Sequence, residues 1–174
     1  TARPRSRGGE KSLCGSGAGD IVCVILSPQY SPVLVGGYLS LVEAAKKALP
    51  SAAAVCVAGT WHALPAFVDA LASRIQQALE RLPEPQRCHV PLLMTAHSMP
   101  KAVIDRDPEY IGMLLETASL AAERCGLPED RWQLAYQSAG HQPVEWLKPD
   151  IKDLFPGLRE NGHERVLVVP VQFL

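Results

Sequence analysis

The chain has no apolar stretch close to the ~20 residues that a bilayer-spanning helix requires. Its N-terminus also lacks the apolar centre of a secretory signal, so the cytoplasm is the expected setting. Charge of one sign is missing as well: 17 Lys and Arg stand against 18 Asp and Glu, for a formal net charge of -1. That balance gives no basic footprint for nucleic acid or an anionic membrane, and small, roughly neutral partners fit better. No Cys-x-x-Cys pair occurs, so nothing supports a zinc site or an iron-sulfur cluster. The five cysteines, Cys14, Cys23, Cys56, Cys88 and Cys125, are odd in number, widely spread and mostly set in apolar runs. Free thiols acting as small hydrophobes are the expectation. No internal repeat of fixed period is present.

What the chain does have is enough apolar content for a core: 174 residues at 47% hydrophobic suit one domain or parts of two. Residues 1–19 stand apart, rich in Gly, Ser and Arg, with one Leu and no aromatic. Such a segment cannot bury enough surface to offset its ordering entropy, and it reads as a disordered leader. Beyond it, apolar strand-like runs near 21–27, 53–58, 89–95, 132–136 and 165–173 alternate with helix-period segments near 36–49, 64–82, 108–125 and 149–161. The second helix carries Leu64, Phe67, Val68, Leu71, Ile75, Leu79 and Leu82 on one stripe. The third carries Ile111, Leu114, Leu115 and Ala118, with Asp107 and Pro108 as its start and Gly126 and Pro128 as its stop. Alternation of this kind marks a layered α/β fold with a mostly parallel sheet. Pro91 and Pro170 fit strand starts, edges or bulges. The start at Thr1 and the strand-like run up to Leu174 are read as truncation at both ends.

The run from Val90 to Pro100 is the most informative, because it reads as a buried strand delivering His97 at its carboxyl end. Imidazole titrates nearer neutrality than any other side chain, so His97 is the first candidate for chemistry. Three of the five histidines, His62, His97 and His141, follow strands, and ligands of open α/β sheets bind outside the carboxyl ends of strands. His89 and His163 fall at strand beginnings, on the opposite edge. Ser98 is read as a turn cap rather than a nucleophile, since adjacent residues on an extended segment point apart. Asp105, Asp107 and Glu109, and later Asp150 and Asp153, are read as helix-start residues.

Four segments give a more specific reading. Leu26-Ser-Pro-Gln-Tyr-Ser31, Thr95-Ala-His-Ser-Met-Pro100, Tyr136 through Asp150, and Val168-Val-Pro-Val-Gln-Phe173 occur in this order and at these intervals in ferrochelatases. The chain resembles that family over residues 20–174. The resemblance implies a Rossmann-like chelatase fold, with mostly parallel sheets flanked by helices in two similar lobes. Residues 20–58 would be the remaining part of the first lobe, and residues 59–174 the first part of the second. It implies insertion of ferrous iron, the metal substrate, into a porphyrin for haem synthesis, with no permanently bound cofactor. His97 falls on the histidine that faces the family's iron site, with Thr95 in place of the usual serine. Trp146 matches a tryptophan lining the porphyrin cleft, and His62 a porphyrin-contacting position that is often tyrosine. Gln29 stands where many members have histidine. The family's catalytic glutamate belongs to a motif that follows the counterpart of Leu174. Whether His97 serves as base or as first iron ligand stays open, as does an alternative in which the chain is a non-catalytic α/β module binding a tetrapyrrole or a partner chain.

Overall fold

The computed structural model describes residues 20–47, 49 and 54–172. The leader read at 1–19 and the last two residues of the final strand run lie outside the described residues. The chain divides into two compact units, Thr1–Thr60 and Trp61–Leu174. The architecture is α/β, with every paired strand parallel to its neighbour.

In the first unit, β1 (Asp20–Cys23) pairs with β2 (Ala54–Val57), and α1 (Pro32–Lys46) is the crossover between them. The helix starts four residues before the expected position. Pro32 sits in its first turn, where a fixed φ favours the helix and the missing N–H costs nothing, and the Ser31 carbonyl accepts from Leu34 and Val35. Gly36 and Gly37 lie inside this helix. Burial alternates along β1 and the residues after it: Ile21 is buried, whereas Val22, Val24 and Leu26 are exposed.

The second unit holds α2 (Pro65–Glu80), a short α3 (Glu84–Arg87), β3 (Leu92–His97), a short α4 (Lys101–Ile104) and α5 (Glu109–Arg124). A single 3-10 turn at Glu129–Arg131 leads into β4 (Trp132–Gln137), α6 (Ile151–Glu160) and β5 (Leu167–Pro170). The two short helices and the 3-10 turn were not legible from periodicity. The sheet order is β4-β3-β5, so β3 is central, and Leu92 through Ala96 are all buried. A strand buried on both faces explains a run that is apolar except for Thr95. Pro91 stands just before β3, and Pro170 is the last residue of β5, so both prolines sit at strand boundaries as expected.

Two helix faces differ from the sequence reading. In α2 the stripe is buried from Phe67 to Ile75, while Leu64 lies outside the helix and half exposed. In α5 the core face is Tyr110, Leu114, Thr117, Ala118 and Ala121, and Leu115 is exposed. The period is helical as read, but its phase is turned because Tyr110 takes the buried position. Asp107 gives no side-chain cap to α5, whose first residue is Glu109. The stop is as expected: Gly126 has φ +65, and the Leu127 N–H bonds the Ala122 carbonyl. Asp150 does cap α6, accepting from the Lys152 N–H at 2.9 Å. No disulfide joins the described cysteines, but Cys56 and Cys88 are exposed rather than packed in apolar surroundings.

Candidate active site

His97 is the last residue of β3 and the first exposed side chain after five buried ones. It sits opposite Gln137 in the β3–β4 register, and the next rung is the Ser98 N–H donating to the Gln137 carbonyl at 2.7 Å. On the β5 side, the His97 N–H donates to Gln172 Oε1 at 2.7 Å. The backbone that carries the imidazole is therefore held from both flanking strands, while the ring faces outward.

The segment after His97 then pairs with a distant loop. Pro100 and Trp146 form an antiparallel bridge, with the Leu147 N–H donating to Met99 and the Lys101 N–H to Glu145. Ser98 turns inward, 1% exposed, and its hydroxyl donates to the Leu147 carbonyl at 3.3 Å. Ser98 therefore links two loops instead of capping a turn, and its burial beside an exposed His97 agrees with their pointing apart. Trp146 is half-buried, its indole N–H directed to the Gln142 carbonyl at 3.3 Å. A Cβ on Gly140 would come within 2.7 Å of the Trp146 ring, so the indole lies directly against a glycine of the loop after β4. This close approach requires a residue without a side chain.

His62 is held elsewhere. Its Nε2 lies 2.8 Å from Glu116 Oε2 and its carbonyl accepts from the Thr117 hydroxyl, so it is tied to the middle of α5. His141 is exposed on the loop between β4 and Trp146. His89 and His163 share a cavity of about 270 Å³ at the amino end of the sheet. Gln29, in the first unit, is fully buried. A separate cavity of about 220 Å³ lies at the carboxyl ends of β1 and β2, lined by residues including Ser27, Tyr30 and Thr60.

Beneath His97, the Gln172 amide donates from Nε2 to the Tyr110 hydroxyl at 2.5 Å, with both residues buried. Burial pushes the Tyr110 phenol far above its ordinary range, and the Gln172 hydrogen bond offsets only part of that. Burial raises Tyr136 as well. Neither Gln172 nor Tyr110 was singled out from sequence, although a lone polar residue closing an apolar strand run is a usable signal. Among the described residues, no three His, Cys, Asp or Glu side chains gather as a metal-binding cluster. No helix among them is long and apolar enough to cross a membrane.

Parallel strands with an exposed, backbone-anchored histidine at their carboxyl edge define a class: α/β proteins that handle ligands outside strand ends. The family model for ferrochelatase matches residues 2–174, and the chain belongs to that family. It is 35% identical over 152 residues to a ferrochelatase of Thermus thermophilus, covering 87% of this chain and 47% of that protein. It is 32% identical to a ferrochelatase of Herpetosiphon aurantiacus, covering 94% and 53%. It is 31% identical to a coproporphyrin III ferrochelatase of a Geobacillus species, covering 91% and 50%. The chain thus spans about half the length of these relatives.

Proposed function

We propose that this chain is part of an enzyme that inserts ferrous iron into a porphyrin, and that His97 is its catalytic residue. The reaction exchanges two pyrrole N–H protons for the metal, so it needs a proton acceptor and an ordered release of water from the ion. A neutral imidazole can accept one of those protons or ligate iron, a borderline metal. It has one available lone pair and does only one of these at a time. Trp146 would stack against the macrocycle, helping to hold it bent so that nitrogen lone pairs point at the metal. His62 would contact the porphyrin while its Nε2 stays tied to Glu116, from a side chain that is 14% exposed. Our reading sets the reaction in the cytoplasm.

The observation that carries this reading is the exposed imidazole ending a buried central strand, beside the Trp146 loop, in a chain that belongs to the ferrochelatase family. The test compares full-length wild type with His97→Ala in ferrous and zinc insertion, using protoporphyrin IX and coproporphyrin III as acceptors. Turnover should fall on the order of 10²-fold or more while circular dichroism and porphyrin binding persist. Unchanged turnover would overturn the assignment. Porphyrin binding with no metallation by the wild type would favour the non-catalytic reading. The 174-residue stretch by itself should metallate poorly, because the relatives carry about as much chain again; rates matching full length would overturn that.

A further inference from the structure

The β3–β5 ladder ends unusually beside His97. Its last register pair is Thr95 with Pro170, followed by the Val171 N–H donating to the Thr95 carbonyl at 2.9 Å. A regular parallel ladder would next direct the His97 N–H to a backbone carbonyl of the neighbouring strand. Here the acceptor is the Gln172 side-chain amide, at 2.7 Å. The other end of that amide donates to Tyr110 on the first turn of α5, at 2.5 Å. Gln172 is 2% exposed and Tyr110 fully buried, so water does not compete for either bond.

We propose that Gln172, anchored by Tyr110, is a positioning residue that orients His97 by replacing a strand rung with a side chain. This rests on the reading of His97 as the reacting group. The physical reason is reach. A side-chain amide lets the strand partner peel away at the sheet edge, where a ligand must enter, yet keeps the His97 peptide plane fixed. A tilt of that plane is magnified at the imidazole, and misplacement of a reacting group by about 1 Å can cost on the order of 10²-fold in rate. The clamp reaches the imidazole only through the backbone, so it should act on turnover and leave substrate binding almost untouched.

The experiment uses full-length protein and zinc insertion into a porphyrin, with His97→Ala as reference. Gln172→Leu, similar in volume and unable to accept or donate, should lower kcat about tenfold or more, with the porphyrin KM within about twofold. Gln172→Glu should restore most of kcat, because a carboxyl oxygen can accept from the His97 N–H while another accepts from the Tyr110 hydroxyl. Tyr110→Phe, which loses only the far bond, should fall between. In nitrogen-15 spectra the His97 amide proton should shift and exchange faster in Gln172→Leu and recover in Gln172→Glu. Wild-type kcat in Gln172→Leu, with His97→Ala inactive, overturns the proposal and leaves the site intact. Turnover retained by His97→Ala overturns the site reading itself. If Gln172→Leu fails to fold, Tyr110→Phe decides: an unchanged kcat together with an unchanged His97 amide resonance overturns the proposal.

Discussion

The two ends of the β4-β3-β5 sheet both carry histidine, and they use it differently. At the amino end, His89 and His163 line a small cavity together with Glu164 and Arg165, and two arginines close by in the chain, Arg87 and Arg131, donate to backbone carbonyls. Arg131 donates to the carbonyls of Arg87 and Val90, and Arg87 to those of Leu82 and Glu80. At the carboxyl end, backbone groups and the buried Gln172 amide hold the chain around His97, and its side chain stays exposed. A histidine count would not separate these two edges. The direction of the surrounding polar groups does.

The largest effect should come from exchanging the two edges in one assay. His97→Ala should cost on the order of 10²-fold or more in metal insertion, whereas His89→Ala and His163→Ala should stay within about twofold. Equal losses at both edges would break the comparison. Next comes the buried face of α5. Leu114, fully buried on α5, should cost about 2–5 kcal/mol of unfolding free energy as Leu114→Ala, measured by denaturant titration. A loss below about 1 kcal/mol would mean that the core around α5 is loosely packed.

A smaller and more local effect is expected at Gly140. An added methyl must displace the Trp146 indole, so Gly140→Ala should raise the porphyrin KM several-fold and shift tryptophan emission. The loop is exposed there, so thermal stability should hardly change. Neither signal moving would separate Trp146 from the ligand edge. The smallest effect is a pH dependence. Tyr110 has its folded pKa raised above the ordinary value of 10.0 by burial, so above that pH the unfolded chain loses its phenol proton first. The stability it contributes is complete below about pH 10 and is lost as pH rises further. Chemical denaturation between pH 9 and 11 should show a decline that Tyr110→Phe reduces.

Much of the scaffold was readable from local pattern. The largely apolar run at Leu92 through Ala96, the stop at Gly126 and the cap at Asp150 follow from burial on two faces, left-handed backbone and orphan N–H groups. Local pattern failed where a distant group set the outcome. The phase of α5 turned on Tyr110, which is fully buried and whose hydroxyl meets Gln172, 62 residues away. Ser98 was misread as a cap because its acceptor, Leu147, lies 49 residues further along. His62 had no visible partner until α5 brought Glu116 beside it.

The sequence by itself determined the α/β alternation, the family resemblance and the choice of His97, because period, strand length and motif order are properties of neighbouring residues. Tertiary structure alone decided that β3 is central, that Trp146 bridges to the loop following His97, and that Gln172 completes the ladder there. Each of these depends on strand order and loop pairing across tens of residues, and such contacts are set by the packing of the whole unit rather than by any local preference.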